Sequence, residues 1–395
     1  MSAHVEKSAL PVNDPHSVPR PTQLRAILHL FTGSWINVLL LIAPVAIVAH
    51  VNKWPDVWIF VLNFLVMMPL ANILGEATEA LAEHTGDTIG GLVNATFGNA
   101  VEIIISIFAL ANGEVELVQS SLIGSMLSNL LLVLGMCFLA GHFGGQKVSK
   151  FSGDGASINM SLLFVGSFAM LVPSYYLNSL SDTNIHNNST KPIDRATQFD
   201  AVLTLSHISA IFLVLMYVQL MVFQLVTHRA VEEKKEEHEL PELSLASSIV
   251  VLCLATVTVA FFSESLVGSI GGFTKSAKIP KAFVGLILLP IVGNAVEHIT
   301  ALRVAYKDNM ELAMGVAVGS ATQIALFVTP ICVLAGWIMH QPMTLAFNNF
   351  EAMTYIFSTL IVYVIVADGA SNWLEGSILL TMYCLIGLAL LVIPV

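Results

Sequence analysis

The sequence predicts an all-α integral membrane protein of about eleven transmembrane helices, one extra helix followed by two inverted five-helix repeats. Three observations point there. Of the 395 residues, 56% are hydrophobic and 11% are charged, whereas a soluble globular domain carries about 25% charged residues. With a mean hydropathy of +0.80, the chain has too few polar side chains to cover a water-facing surface, and its apolar runs reach the ~18 residues that cross a bilayer as helix. A charged five-residue motif also occurs twice, once in each half of the chain.

Taken in order, the spans fall at 35–51, 57–82, 88–111, 117–141, 156–177, 200–226, 244–270, 281–305, 311–338, 344–366 and 373–395. Each must be helical, because lipid offers backbone N–H and C=O groups no partner. Residues 1–34 read as a loose cytosolic tail, polar and interrupted by proline, with no charged n-region leading into a cleavable apolar segment. Residues 35–54 then hold the additional first helix, 55–230 the first five-helix repeat, 231–243 an acidic cytosolic linker and 244–395 the second repeat. With a cytosolic N-terminus, ten Lys and Arg residues face the cytosol against six on the other side, a modest positive-inside bias that puts the C-terminus in the lumen. The overlapping sequons at Asn187 and Asn188, in the loop 178–199, fall on the non-cytosolic side.

The formal net charge of −11 argues against nucleic acid as a partner and fits a protein that handles cations. The lipid bilayer is the one extended partner implied, and no oligomeric state can be read. Cys137, Cys253, Cys332 and Cys384 all lie in apolar runs without CxxC spacing, so buried free thiols are expected rather than disulfides or a zinc site.

The repeat is exact where it is charged. Gly98-Asn99-Ala100-Val101-Glu102 recurs as Gly293-Asn294-Ala295-Val296-Glu297, and the same register carries Glu116 onto Glu311, Gly124-Ser125 onto Gly319-Ser320, and Ser128 onto Gln323. Upstream, with a gap, Thr78-Glu79-x-Leu81 resembles Ser263-Glu264-x-Leu266. The two copies fall on spans running in opposite directions, the arrangement of many secondary transporters with a substrate site at the repeat interface. Glu102 and Glu297 both fall near the bilayer centre.

A carboxylate there costs at least ~2.5 kcal/mol on insertion scales, and no Lys or Arg lies at matching depth. A divalent cation satisfies such a pair, and so do protons, since burial disfavours the charged form. Gly98, Asn99, Glu102 and Ser106 share a face by three- and four-residue spacing, with Gly90-Gly91 a place where the helix can loosen. Gly293, Asn294 and Glu297 form the second set, and Ser125, Ser128, Ser320 and Gln323 add hydroxyl and amide oxygens from the following helices. All-oxygen ligands with two carboxylates favour Ca2+ or Mn2+ over Zn2+ or Cu2+. Helix packing and interhelical hydrogen bonding explain Asn99 and Asn294 equally well, and tight crossings explain Ser125 and Ser320.

Asn94-Ala-Thr-Phe-Gly-Asn-Ala-Val-Glu102 and Gly293-Asn-Ala-Val-Glu-His298, each followed by Gly-Ser, resemble the two alpha-repeats of the cation/proton exchangers in the Ca2+/cation antiporter superfamily. The likeness runs from about residue 35 to 395, includes Ser371-Asn372-Trp373-Leu374-Glu375-Gly376, and is greatest to the fungal vacuolar Ca2+/H+ exchangers. It implies that Glu102 and Glu297 bind the cation and exchange protons, that access alternates by sliding of outer helices, and that the membrane is vacuolar. Ca2+ is then transported substrate and H+ the coupling ion, with no cofactor.

Secondary features carry two readings each. Glu76, Glu79 and Glu83 form either an acidic mouth near the cytosolic end of span 2 or a solvated helix end, with Glu79 and its echo Glu264 the stronger candidates for an ion or proton pathway. Glu232, Glu233, Glu236, Glu237 and Glu239 resemble the family's acidic cytosolic helix, or make an ordinary linker with Glu–Lys pairs. His298 either modulates the response to pH or simply packs. A zinc metalloprotease needs two imidazoles around its glutamate, and Asn294-Ala-Val-Glu297-His298 offers one. A channel suits two carboxylates on inverted halves less well than alternating access does. A Na+-coupled Ca2+ exchanger of the same fold stays open.

Overall fold

In the computed structural model, residues 23–186, 195–227 and 243–392 are described. Among the described residues eight helices are long and apolar enough to cross a membrane, and three bent pairs bring the number to as many as 11. In chain order the helices are α1 (Gln23–Thr32), α2 (Trp35–Val51), α3 (Asp56–Gly86), α4 (Ile89–Phe97), α5 (Ala100–Ala111), α6 (Val115–Phe143) and α7 (Gly153–His186). They continue as α8 (Thr197–Thr227), α9 (Leu245–Ala277), α10 (Lys281–Gly293), α11 (Ala295–Tyr306), α12 (Met310–Ile338), α13 (Asn349–Val366) and α14 (Trp373–Val392). The acidic run with Glu232, Glu233, Glu236, Glu237 and Glu239, and the two sequons, lie outside the described residues.

The alternation of spans is visible in what meets at each face. At one end, His84 Nε2 lies 2.6 Å from the Leu243 carbonyl oxygen and Ser244 N–H donates to Gln23 Oε1 at 2.8 Å. The short strands β1 (Ser149–Lys150) and β2 (Ala370–Ser371) pair antiparallel and so join the α6–α7 and α13–α14 loops at one face of the bundle. At the opposite end from these loops along α6 and α10, Lys281 Nζ meets Glu114 Oε2 at 2.6 Å.

Two boundaries and the exposure of two cysteines differ from the sequence reading. Residues 23–32, expected in a loose tail, form a helix that buries Ala26 and Leu30 and meets α2 at 84°. Its apolar residues recur at helical spacing, which the surrounding prolines obscure. Span 10 begins at Asn349 rather than 344, because Met343 to Phe347 run as a buried non-helical strap whose backbone groups are satisfied by side chains. Gln119 Nε2 donates to the carbonyls of Thr344 (2.9 Å) and Ala346 (3.0 Å), while Ser206 Oγ accepts from Leu345 N–H and Ser174 Oγ from Phe347 N–H. Of the four free cysteines, Cys137 and Cys332 are buried but Cys253 and Cys384 are exposed, since an apolar helix in lipid buries only the face it turns to its neighbours.

α6 and α10 cross closely. A Cβ added to Gly124 would run into the Leu286 carbonyl, whereas its repeat counterpart Gly319 has nothing within 4 Å. Gly124→Ala is therefore expected to destabilise the protein by about 1–3 kcal/mol through overpacking. Gly319→Ala should be neutral or stabilising by up to about 1 kcal/mol, because alanine restricts the unfolded chain and favours helix. Thermal unfolding of both variants in detergent checks this, and equal losses would refute the assigned crossing.

Candidate cation site in the broken helices

The repeated motif does not sit on continuous helices. α4 and α5 meet at 43° and α10 and α11 at 60°. The breaks fall at equivalent residues: Asn99 has φ −102°, ψ 17° and Asn294 has φ −94°, ψ 18°. Each asparagine caps the second half-helix through its carbonyl, which accepts from Ile103 N–H at 3.1 Å and from His298 N–H at 3.0 Å. Glu102 and Glu297 thus stand in the first turn of their half-helices, where free N–H groups and the positive end of the helix dipole favour a carboxylate. The loosening expected at Gly90-Gly91 lies elsewhere: the chain hinges at Gly86, with φ +74°, and breaks again at Gly98-Asn99.

Glu102 is 6% exposed, and neither of its carboxylate oxygens has a hydrogen-bond partner. Glu297 Oε2 is likewise buried and unpartnered. Glu102 faces a cavity lined by Ile105, Ser121, Leu122, Ser125, Leu289 and Gly293. Glu297 faces a second cavity with Gly75, Phe97, Gly98, Val101 and Gly293 in its wall. Gly293 is common to both, and a Cβ there would lie 2.7 Å from Glu102 Oε1. A side chain at this position would fill the space that the carboxylate occupies.

The remaining polar residues of the motif knit the two halves together. Asn99 Nδ2 donates to Gln323 Oε1 at 2.8 Å, from the first repeat to the second. Reciprocally, Asn294 Oδ1 accepts from Asn129 Nδ2 at 3.3 Å and Asn294 Nδ2 donates to the Ser125 carbonyl at 3.4 Å. Asn129 Nδ2 also donates to Ser320 Oγ at 3.0 Å, and Ser128 Oγ lies 3.1 Å from His298 Nε2. Gly98, Asn99, Glu102, Ser125, Ser128, Gly293, Asn294, Glu297, Ser320 and Gln323 therefore share one centre. Asn129 and Ser121 belong to it as well; neither has an identical partner in the other repeat, which is why the motif alone misses them.

π-helical turns interrupt α6 at Ser128–Val133 and α12 at Ile324–Val328. They stand at equivalent places in the two halves, each turn taking one residue more than in an α-helix, as is frequent at functional sites. Among the described residues no group of three or more His, Cys, Asp or Glu converges. A cation held here would take two carboxylates and neutral oxygens, a donor set suited to Ca2+ or Mn2+.

The flanking acidic residues stand apart. Glu76 accepts from Asn72 Nδ2 at 2.8 Å, with Glu79, His29 and Arg303 around it. Glu79 and Glu264 are both exposed, and neither lines either cavity. His298 Nε2 lies 3.1 Å from Ser128 Oγ, at the edge of the centre.

Apolar spanning helices, two of them broken around buried carboxylates, define an integral membrane transporter rather than an enzyme. The chain belongs to the sodium/calcium exchanger protein family, whose pattern matches residues 55–226 and 247–392. The vacuolar calcium ion transporter of Schizosaccharomyces pombe is 40% identical over 387 residues, covering 96% of this chain and 91% of that protein. Vacuolar cation/proton exchanger 3 of Oryza sativa is 38% identical, covering 92% of this chain and 87% of the exchanger. The solved structure of native YfkE superposes with a TM-score of 0.73 at 31% identity, covering 91% of this chain and all of that one; a second structure describes the same protein as a Ca2+/H+ antiporter. The sodium–calcium exchanger NCX_Mj, at 16% identity and a TM-score of 0.51, shares the fold.

Proposed function

We propose that this protein is a secondary active antiporter moving Ca2+ from the cytosol into an acidic organelle in exchange for H+, with Mn2+ as a second substrate. The observation that carries the reading is that both carboxylate oxygens of Glu102 and Oε2 of Glu297 are buried without a partner, on half-helices broken at equivalent asparagines. Two such groups without a cationic side chain must take up either a divalent cation or protons. Competition between the two for the same oxygens is the coupling.

Glu297's cavity includes Phe97, 36% exposed, and exposed Gly98. They lie on the half-helix leading from the His84–Leu243 end, the cytosolic end if the N-terminus is cytosolic. In this reading Ca2+ enters past Phe97, where low proton concentration leaves both glutamates ionised. The two inverted repeats then rearrange, the site opens to the acid lumen, and protonation of the pair expels the ion. The names of the curated relatives support the vacuolar membrane as the location.

The sign of the pH dependence follows. Protons and Ca2+ bind the same groups, so acid on the face to which the site is open raises the Ca2+ concentration needed for half-saturation, while acid on the far face speeds release. Uptake of Ca2+ into proteoliposomes with an acid interior tests the reading: it should be fast, lost when an ionophore collapses the gradient, and not supported by an outward Na+ gradient. Uptake that follows Na+ and ignores protons would keep the site and replace the coupling ion. Flux that follows the Ca2+ gradient alone would favour a channel.

A further inference from the structure

One buried carboxylate takes no part in the centre described above. Glu351, in the first turn of α13, is 3% exposed. Ser120 Oγ of α6 donates to its Oε1. Of the elements packed on α13, α6 brings the charge that faces Glu351, the exposed Glu116 one turn before Ser120; among the described residues α7 and α14 bring none to it. Burying a carboxylate without a cation is costly, and a nonpolar side chain would pack the same place at no such cost.

Its position gives the group a use. Ser120 is followed directly by Ser121, which lines the cavity of Glu102, so the Glu351 contact and the wall of the cation site fall on adjacent residues of α6. Ser120 also seats against Gly285 of α10, where an added Cβ would lie 2.7 Å from Ser120 Cβ and 3.4 Å from Leu117 Cδ1. On the other side, Glu116 and the Glu114–Lys281 pair mark the end of α6 that reaches the surface. The Met343–Phe347 strap, pinned by Gln119, runs into the helix that carries Glu351 and closes this end of the bundle. Polar groups thus succeed one another from the surface at Glu116, through Glu351 and Ser120, to Ser121, which lines the cavity of Glu102.

We infer that Glu351 is a proton-relay residue for the exchange, carrying protons between the strap-closed face and Glu102. The assignment rests on the Ca2+/H+ reading, under which this face is luminal. Glu351 takes a proton from luminal water and gives one up to water in the Glu102 cavity, so it ends each cycle in the protonation state in which it began. Ser120 is the positioning residue that holds the carboxyl against α6. Glu102 gains the proton as Ca2+ departs, and no other bond is made or broken.

The test separates proton movement from cation movement in the full-length protein in proteoliposomes. Two fluxes are read: Ca2+ uptake driven by an acid interior, and exchange of labelled for unlabelled Ca2+ at equal pH, which needs no net proton transfer. Glu351→Gln keeps a hydrogen-bonding group of the same shape and removes the titrating one. It should slow proton-driven uptake about tenfold and flatten its dependence on interior pH, with Ca2+/Ca2+ exchange within twofold of wild type. Glu351→Asp should recover most of the proton-driven rate. Equal loss of both fluxes, or loss of neither, would overturn the relay. Should Glu351→Gln fail to reach the membrane, Ser120→Ala replaces it, with the same selective slowing expected at smaller size and the same two results against it. Failure of wild-type protein to respond to the proton gradient while exchanging Ca2+ would instead sink the coupling reading, and the two failures are read from different samples.

Discussion

Glu102→Gln and Glu297→Gln should each abolish Ca2+ transport while leaving the protein inserted and folded. The substitution keeps size and hydrogen-bonding capacity and removes the charge. A buried cation deprived of one of two carboxylates loses about 3 kcal/mol or more, which is ~100-fold or more in affinity. The apo protein, by contrast, no longer buries an unpartnered carboxylate and should be as stable as wild type or more so. That pairing of outcomes is diagnostic: transport lost with the melting temperature held or raised, and with Ca2+ no longer raising it by mass action. Near-normal uptake by either variant would refute the site. A drop in stability would mean that the glutamate holds the fold instead.

Gly293→Ala is expected to have the second largest effect, for a reason of space rather than charge. The added methyl would meet Glu102 Oε1 at 2.7 Å, its carboxyl carbon at 3.1 Å and Cγ at 3.3 Å. These are three consecutive atoms of one side chain, so a small twist of the carboxylate does not relieve the contact; the whole end of Glu102 must move. Gly293 also lies in the wall of Glu297's cavity, and the methyl would stand where the two carboxylates share a boundary. Overpacking at this position costs about 1–3 kcal/mol. The expected result is a rise of tenfold or more in the Ca2+ concentration for half-maximal uptake. The counterpart Gly98→Ala meets its own turn, the Asn94 carbonyl at 2.6 Å, and no glutamate, so it should act on stability more than on affinity. Comparing uptake curves and melting temperatures of the two variants decides the matter. Equal effects on affinity would mean that the motif glycines act only through the helix break.

The different behaviour of equivalent residues marks where reading the repeat reaches its limit. Gly98-Asn99 and Gly293-Asn294 are identical in sequence and both break their helices, because an asparagine carbonyl starts a new half-helix at each. The sequence shows the repetition but not the break: every residue from 88 to 111 is compatible with one helix by composition, and the kink is set by what packs on it. Asn99 finds Gln323, and Asn294 finds Asn129 and Ser125. Those partners lie in the opposite half of the chain, so no local pattern announces them. Gly124 closes on Leu286 while Gly319 touches nothing, a difference absent from any alignment of one half on the other. Glu351 lies outside the repeated motif, and its burial against Ser120 comes only from the packing of α13 on α6.

The sequence by itself determined the membrane class, the span positions to within a few residues for most helices, and the repeated motif that carries the two glutamates of the proposed site. Hydropathy and a repeated charged motif carry that information locally, because lipid forbids unpaired backbone and makes a mid-span carboxylate costly. Tertiary structure alone decided which polar groups satisfy one another, where the helices break and widen into π-turns, that Glu79 and Glu264 stand outside the cavities, and that the strap before α13 closes one face. Those outcomes depend on hydrogen bonds and close approaches between residues far apart in the chain. Such contacts exist only after the helices have packed.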